Sequence, residues 1–421
     1  MVKSQVKRIA YINLRDTHGG AVIAMNRLSG ALADIYGVDN TILVGTKTTE
    51  AKNIIALRSR WQRGIENRII ESNLSAAGLQ YQWFPFSSYN MMKHLRNIKP
   101  DVINLHLTHS SYFQTSMIQK ISTVAPVVWT LHDMWAFTGN AAHTFGDESW
   151  KTMQNSDHLT KIYPAIGRNA GAWLLRQKKR IYAKSNVTMV TPSRWLRDLA
   201  IQSPVFEGKE VLHINNGIDL DVFKPGNKSA IRAKLEIPVD AKVIVFSAAF
   251  LKGDIWKGGD HLIEILRRIN ALVTTPVYIL LIGKEGDSTL TDFSNFTVRT
   301  TGYVDDEKLM AMYLSASDLF LYPTKADNLP NVLVEAIACG VPAVTFDIGG
   351  CKEIVVNDYN GIIVKPFDFD SVAAGVVKCL SSDLGAMSAN ARKHAEQNFD
   401  VKDMAHNYMA LFEKLSTNAK R

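Results

Sequence analysis

Three short segments have residue types suited to binding phosphate or sugar, through either a side chain or the backbone. Lys257-Gly258-Gly259 stands before a helical pattern, where a lysine offers a point charge and the helix start offers backbone donors to an anion. His132 follows an apolar, strand-like run, and a histidine at that end of a parallel strand can hydrogen-bond a hydroxyl-rich ligand. Gly19-Gly20 precedes another helical pattern and lets a ligand approach the backbone. Ordinary turns and a structural histidine remain alternative interpretations of each segment.

The segment from Asn328 to Phe346 is more informative because it contains one charged residue, Glu335. A lone carboxylate on an apolar helix needs a partner, since unpaired burial is costly. The vicinal hydroxyls of a ribose would satisfy both of its oxygens. Asp327 lies eight residues earlier, before the helix, where it can accept hydrogen bonds from a sugar. The pattern favours a nucleotide-sugar ligand, and pairing with a lysine or a helix cap is the structural alternative.

Metal and dinucleotide sites receive little support. Asp219-Leu220-Asp221 has the DxD form that holds a divalent ion in some sugar transferases, but it lies in a loop-like stretch and is interpreted as a loop cap. The glycine pair is not a GxGxxG motif. Three cysteines without a CxxC pair predict buried thiols. We therefore expect no metal, and no cofactor apart from a co-substrate.

These segments require strands that hold them in place. The apolar pattern of the sequence predicts two series of buried strands alternating with helices. This order indicates an α/β protein with two doubly wound parallel sheets, whose ligands would bind in a cleft facing the carboxyl ends of the strands. The first predicted series is 7–13, 41–44, 102–107, 127–131 and 188–191, with a helix over 21–36. The second is 243–247, 277–282, 297–300, 319–322, 341–346 and 361–364, after a linker at 215–227.

Charge and hydropathy exclude several classes of protein. Residues 1–200 carry 25 basic and 12 acidic side chains, whereas residues 201–421 carry 23 and 28. The basic half favours an anionic partner such as phosphate or an anionic lipid, although a solvated helix face explains it equally well. The apolar runs are strand-sized, and the N-terminus lacks an apolar signal core. We therefore expect a cytoplasmic protein without a membrane span.

Taken in order, these segments resemble one family, the retaining GT-B glycosyltransferases of family 4 that build bacterial exopolysaccharide, capsule or O-antigen. The resemblance covers almost the whole chain and is most specific in its last block. The segments are Gly19-Gly20, His132 to Gly139, Thr191-Pro192-Ser193, Asn215 to Asp219, Lys257-Gly258, Gly302-Tyr303-Val304, and Asp327 to Pro342.

The resemblance implies a role for each matching position. The two-carboxylate motif of the family, Glu-x7-Glu, falls on Asp327 and Glu335, with aspartate in place of the first glutamate. The second carboxylate would bind the nucleotide ribose, and the first would contact the donor sugar. Lys257 would bind the donor diphosphate and His132 the transferred sugar. The remaining implied contacts are Gly19 and Gly20 with phosphate or acceptor, Lys252 with phosphate, Asn331 and Val332 with the donor through backbone N–H groups, and Tyr303 and Val304 with the base.

The resemblance also implies an activity and a domain plan. A sugar would move, with retention and without a metal, from a nucleotide-diphosphate sugar to a glycan or lipid-linked acceptor. The expected domains are 1–214 on the acceptor side, 215–395 on the donor side, and a C-terminal helix over 396–421 that returns to the first domain. We expect a peripheral position on the inner face of the plasma membrane and no nucleic-acid partner. A non-catalytic polysaccharide-binding or polyanion-binding protein and a nucleotide-sugar epimerase remain as alternatives.

Overall fold

The computed structural model describes residues 4–247, 256–283 and 293–419. The chain forms two compact units. The first contains the residues up to Asn215 together with those from Lys402 onward, and the second runs from Asn216 to Val401. No helix within the described ranges is long and apolar enough to cross a bilayer.

The first unit is built on a seven-stranded parallel sheet with the order β3-β2-β1-β4-β5-β6-β7. The order reverses between β1 and β4, which pair with each other through Ile9–Ile12 and Val102–Leu105. Its strands are β1 (Arg8–Arg15), β2 (Asp39–Thr46), β3 (Ile54–Ala56), β4 (Val102–Leu105), β5 (Val127–Thr130), β6 (Val187–Thr191) and β7 (Val211–His213).

The second unit repeats this plan in a six-stranded parallel sheet with the order β10-β9-β8-β11-β12-β13. Its reversal lies between β8 and β11, where Leu319 pairs with Ile244. Alternate residues of β8 enter different cores, Val243 and Val245 on one face and Ile244 and Phe246 on the other. Its strands are β8 (Lys242–Ser247), β9 (Val277–Ile282), β10 (Phe296–Thr300), β11 (Leu319–Tyr322), β12 (Ala343–Phe346) and β13 (Gly361–Val364).

Helices connect the strands in both units. Those of the first unit are α1 (Gly20–Tyr36), α2 (Arg60–Gly64), α3 (Ser72–Ala76), α4 (Pro85–Ile98), α5 (Met117–Ile121), α6 (Asp157–Thr160), α7 (Gly171–Ala183) and α8 (Arg194–Ala200), with a π-helical stretch Ile65–Glu71 joining α2 to α3. The second unit holds α9 (Lys228–Lys234), α10 (Gly259–Leu272), α11 (Glu307–Ala316), α12 (Asn331–Ala338), α13 (Cys351–Ile354), α14 (Phe369–Ser381) and α15 (Gly385–Asn398), and α16 (Val401–Ala419) returns the chain to the first unit.

The predicted α/β class with two parallel sheets is confirmed, and each predicted strand is present with shifts of one or two residues at its ends. The sequence reading omitted β3 and β7, two edge strands of only three residues each. The expected buried thiols are also confirmed, since Cys339, Cys351 and Cys379 are all buried and free.

The structure corrects the interpretation of the basic half at Lys178. Lys178 is buried, and its ammonium donates to the carbonyls of Trp135, Thr138 and Gly139 at 2.5 to 3.2 Å. It therefore fastens a loop and adds no surface charge. The aromatic run of Tyr81, Trp83, Phe84, Phe86 and Tyr89 could seat at a membrane interface or belong to the core, and the structure places Tyr81 and Phe84 in the core.

Glu71, at the end of the π-helical stretch, is a buried carboxyl with a perturbed pKa. It accepts hydrogen bonds from the Ser75 hydroxyl at 2.5 Å and from the Tyr81 backbone N–H at 3.4 Å. Burial raises the pKa of Glu71 from 4.5 to about 7, and the two hydrogen bonds only partly oppose this rise. The folded chain thus binds this proton more tightly than the unfolded chain does.

This shift predicts a pH-dependent stability contribution. The contribution of protonated Glu71 is complete below about pH 4.5 and is lost as the pH rises through about 7. Glu71→Gln should therefore gain up to ~3 kcal/mol in unfolding free energy relative to the natural chain between pH 4.5 and pH 8. Urea unfolding at both pH values measures the difference, and Glu148→Gln, at an exposed carboxylate, is the control. A difference that does not change with pH would contradict the assignment.

Candidate functional site

Two predicted residues of the second unit, Lys257 and Asp327, lie where its strand order reverses. In a doubly wound sheet, connections leave this point toward opposite faces, so side chains at the ends of the two central strands are exposed to a ligand. Lys257 precedes α10, the helix that follows β8, and Asp327 lies in the loop that follows β11. The β8 and β11 strands are neighbours in the sheet, which brings these two distant parts of the sequence together.

The loop carrying Lys257 is fixed against the loop after β11. Gly258 caps α10 in the left-handed conformation, with φ of 68°, and a Cβ there would overlap the carbonyl oxygen of Pro323. Only glycine fits this position. The Trp256 carbonyl accepts from the Lys325 N–H at 2.7 Å and from the Thr324 hydroxyl at 3.0 Å. Lys257 is thus held between two contacts that join its loop to the strand end.

Lys257, Tyr322 and Asp327 form a connected cluster. The Lys257 ammonium forms an ion pair with Asp327 Oδ2 and donates to the Tyr322 hydroxyl at 3.0 Å, and that hydroxyl donates to Asp327 Oδ2 at 2.6 Å. Burial alone would lower the pKa of Lys257, but the charge of Asp327 reverses the effect and raises it above its ordinary value. The lysine is therefore a fixed positive charge at any pH of interest, and it is partly exposed.

Helix α12 carries a second carboxylate of the second unit. Pro330 is its N-cap, one position before the helix, and Glu335 lies on its buried side with 6% of its surface exposed. The helix otherwise packs apolar residues into the core, as its sequence predicted. Asn331 and Val332 lie in the first turn of this helix, and the N-terminus of a helix favours a negatively charged group. Tyr303, 42% exposed, and Val304 follow Gly302 after β10 in the same unit.

In the first unit, a hydrogen-bonded chain leads from the sheet interior to His132. The Asn104 amide donates to the Val128 carbonyl and the Thr130 hydroxyl, so its oxygen faces the ring of His106, 2.9 Å from Nε2. His106 therefore carries its proton on Nε2 and accepts on Nδ1, which lies 2.9 Å from Nε2 of His132. It follows that His132 donates through Nε2 and presents Nδ1 as an acceptor.

Both histidines of this chain are neutral near pH 7. Burial lowers the pKa of His106 well below its ordinary value, and the neighbouring His132 lowers it further. Desolvation likewise lowers the pKa of His132 to about 4, although the charge of Asp133 opposes the shift. A neutral Nδ1 acceptor is suited to a sugar hydroxyl and provides no charge for a phosphate.

A histidine–aspartate pair, His109 with Asp133, lines the same pocket as these two histidines. His109 Nε2 is 2.5 Å from Asp133 Oδ2, and the other oxygen of Asp133 accepts from the Trp135 N–H at 2.8 Å. Burial opposes ionisation of Asp133, but His109 and the Trp135 N–H lower its pKa overall. Among the described residues, the buried His109 Nδ1 has no hydrogen-bond partner. His106, His109, His132 and Asp133 line one small pocket of the first unit.

Gly19 lies at the start of α1, beyond β1, and has φ of 100°, a conformation that favours glycine. Both Gly19 and Gly20 are exposed. The loop before them is anchored by Asp16, whose carboxylate accepts from the N–H groups of Thr48 and Thr49 at 2.8 to 2.9 Å. Burial opposes ionisation of Asp16, yet these hydrogen bonds lower its pKa.

Two family models match nearly the whole chain. One, described as Glycosyltransferase Family 4, matches residues 18–222, and the other, described as Glycosyl transferases group 1, matches residues 227–398. Only residues 223–226 and the two ends lie outside them. The sucrose-phosphate synthase structure from Thermosynechococcus elongatus superposes with a TM-score of 0.72 at 17% identity, covering 98% of this chain and 100% of that one. The chain belongs to the GT-B glycosyltransferases.

Two further similarities concern glycosyl transfer. The putative colanic acid biosynthesis glycosyl transferase WcaC of Escherichia coli (strain K12) is 24% identical over 333 residues, which is 76% of this chain and 78% of that protein. A structure of Anabaena Alr3699/HepE in complex with UDP-glucose superposes with a TM-score of 0.64 at 18% identity, covering 97% of this chain and 99% of that one. The GT-B and family 4 predictions are thereby confirmed.

The glycosyltransferase structure places the predicted site residues in two groups, one in each unit. Lys257 and Asp327 are in contact, and Glu335 is buried on the following helix, whereas Gly19, Gly20 and His132 belong to the first unit. Lys252 lies outside the described residues. Asp219 accepts from the N–H groups of Asp221 and Val222, the loop cap that the sequence predicted.

Sequence reasoning missed Tyr322, His106 and His109. Tyr322 reads as the last apolar residue of a strand, and its hydroxyl gave no signal. His106 and His109 follow β4 three residues apart, and β4 adjoins β5, which leads to His132. Two histidines follow β4 and a third follows its neighbour β5. Had the order of the strands been known, this pattern would have indicated that the three histidines lie close together.

The histidine chain predicts the tautomer and titration of His132 in this glycosyltransferase. Imidazole ¹⁵N resonances should show a neutral ring protonated on Nε2, with titration only near pH 4. His106→Leu removes the acceptor for that proton and should abolish the tautomer preference. His94→Gln, at a half-buried histidine of α4, should leave the signals unchanged. Titration of His132 near 6.5, or a proton on Nδ1, would refute the hydrogen-bond order.

Proposed function

We propose that this glycosyltransferase moves a sugar, with retention, from a nucleotide-diphosphate sugar to a glycan or lipid-linked acceptor in bacterial surface-polysaccharide synthesis. The observation that carries the proposal is Lys257, a permanently charged lysine held at the strand-order reversal beside Asp327. Glu335, buried on an apolar helix just beyond, supplies a carboxylate for ribose hydroxyls. The fold shared with a UDP-glucose complex and the WcaC relative agree with this donor and pathway class.

The chemistry assigned to each residue follows from its charge state. Breaking the bond between the anomeric carbon and the phosphate oxygen leaves negative charge on the diphosphate, which Lys257 and the first turn of α12 stabilise. The acceptor hydroxyl forms the new bond on the same face, and its proton passes to the departing phosphate oxygen. Asp327 and neutral His132 bind sugar hydroxyls. Lys252 adds positive charge, and Tyr303 and Val304 lie against the base. No metal or other cofactor is assigned a step.

Nucleotide binding provides the direct test. UDP, GDP and ADP are titrated by calorimetry, and the tightest ligand is then measured against variants. Glu335→Gln loses a charged hydrogen bond to ribose, a loss of ~1.5–3 kcal/mol, or ten- to over a hundredfold in affinity. Lys257→Met should weaken binding and also lower turnover at saturating donor, because the charge matters most as the diphosphate departs. Lys378→Met, at an exposed lysine paired with Asp358, is the control.

Four outcomes would redirect the proposal. Unchanged nucleotide affinity in folded Glu335→Gln would remove the ribose assignment. Stabilisation by polyanions alone, with no nucleotide bound, would favour the polysaccharide-binding alternative, and conversion of the donor sugar without transfer would favour an epimerase. Loss of activity with a chelator that a divalent metal restores would contradict the metal-independent mechanism.

We also propose that a lipid-linked acceptor is met at an anionic membrane surface on the cytoplasmic side. The supporting feature, here called the aromatic–basic surface, combines exposed aromatic and basic side chains of the first unit. Its members are Arg60, Trp61, Trp83, Tyr89, Lys93, Arg96 and Lys120. Trp61 packs edge-on against Phe86, one turn before Tyr89 on α4, and Trp83, Tyr89, Arg96 and Lys120 line one shared groove.

The exposed charged side chains of the aromatic–basic surface are all positive. Between Ser59 and Lys99 the only acidic residues are Glu66 and Glu71, and both are buried. Glu66 pairs with buried Arg58 at 3.1 Å and therefore leaves the surface charge unchanged. Each basic side chain near an anionic leaflet contributes ~1 kcal/mol, and interfacial aromatics add to this.

Vesicle binding distinguishes this surface from general basicity. The natural chain should bind phosphatidylglycerol vesicles in low salt, and a Lys93→Glu, Arg96→Glu, Lys120→Glu variant should lose at least tenfold in affinity. The matched control reverses Arg176, Arg180 and Lys184, three exposed residues at or just beyond α7. Equal losses in the two triple variants would indicate nonspecific charge, and no binding at low salt would refute the membrane proposal.

A further inference from the structure

We propose that Tyr322 is a positioning residue of the donor site: its hydroxyl bridges Lys257 and Asp327 and is matched to the short aspartate side chain. The inference rests on the proposed function, since it concerns the same donor site. Nothing in the sequence pattern of the site assigned a role to this tyrosine.

The hydroxyl has one possible direction in this cluster. A lysine ammonium only donates, and a carboxylate only accepts. The Tyr322 oxygen therefore accepts from Lys257 at 3.0 Å and donates to Asp327 Oδ2 at 2.6 Å. Burial raises the pKa of Tyr322 well above its ordinary value, so the phenol keeps the proton that it donates.

The tyrosine is held more firmly than the ions that it joins. It is the last residue of β11, is fully buried, and stacks on Phe320 with ring centroids 5.7 Å apart. Its carbonyl accepts from the Thr345 hydroxyl on β12 at 2.8 Å. The side chain of Lys257 is 36% exposed and that of Asp327 is 15% exposed. The hydroxyl is thus a fixed point on the protein side of two partly exposed ions.

This arrangement matters when a diphosphate binds. A phosphate oxygen competes with Asp327 for the ammonium, and loss of the ion pair separates Lys257 Nζ from Asp327 Oδ2, while Asp327 Oδ1 still accepts from the Asn328 N–H at 3.0 Å. Because Tyr322 contacts each ion separately, Nζ and Oδ2 each keep a hydrogen bond to its buried hydroxyl after their mutual contact is broken. Lys257 remains placed for the phosphate, and Asp327 remains placed for the donor sugar.

The bridge also sets the length of the carboxylate. Tyr322 Oη lies 2.6 Å from Asp327 Oδ2, so a side chain longer by one methylene group would bring its carboxylate too close to the hydroxyl. A glutamate at position 327 would push its carboxylate against the hydroxyl or away from Lys257. Removal of the hydroxyl would open this space. The two residues should therefore depend on each other's identity.

A double-mutant cycle tests this dependence in the full chain. The proteins are the natural chain, Tyr322→Phe, Asp327→Glu and the double variant, each titrated with UDP, GDP and ADP by calorimetry. For the nucleotide that binds the natural chain most tightly, we expect Tyr322→Phe and Asp327→Glu each to weaken binding about 5- to 30-fold. In the double variant, Asp327→Glu should cost at least ~3-fold less than it does alone.

The control separates positioning from general stability. Tyr182→Phe removes a buried hydroxyl that donates to the Ala136 carbonyl at 3.1 Å in the first unit, and it should leave nucleotide affinity unchanged. If the natural chain binds a nucleotide but Tyr322→Phe binds it equally well, or if the two changes are additive, the positioning role is wrong while the proposed function stands. If none of the three nucleotides binds the natural chain, the proposed function fails and this inference fails with it.

Discussion

A partly buried ion pair between Lys257 and Asp327 is the interaction on which the second unit depends. Either charge alone at this place would incur a desolvation penalty, so each requires the other while no ligand is present. The pairing also keeps the lysine protonated, and a permanently charged lysine suits the proposed role of stabilising a departing diphosphate. The sheet order, the loop contacts and Tyr322 all serve to keep these two ions together.

The two units share one topology but differ in the charge of the side chains that follow their central strands. Each sheet reverses its strand order once, and in each the side chains of interest follow the central strands. In the second unit that place holds a cation and carboxylates. In the first it holds His106 and His132, whose pKa values are lowered so that both rings stay neutral. Neutral acceptors suit hydroxyl groups, and a fixed cation suits a phosphate, so a division of labour follows from the local environment of each strand end.

The sequence predicted the features that depend on local pattern. Buried strands have continuous apolar runs, and Glu335 was recognisable because an apolar helix surrounds it. Features created by strand order were not readable. Tyr322 meets Lys257 only because β11 lies beside β8, and His106 meets His132 only because β4 lies beside β5. The burial of Lys178 could not be predicted for the same reason, since its three carbonyl partners come from a loop some forty residues away.

The loop that carries Asp327 is constrained from both sides before any ligand arrives. Gly258 closes against the Pro323 carbonyl, and Gly349, with φ of 59°, closes in the same way against the carbonyl of Asp327 itself. The Gly350 N–H then donates to the Asn328 carbonyl at 2.8 Å. Neither glycine can be replaced without moving backbone, so the loop has little freedom to follow a ligand. Because side chains placed by rigid backbone need not reorganise during reaction, their charges act on the transition state at full strength.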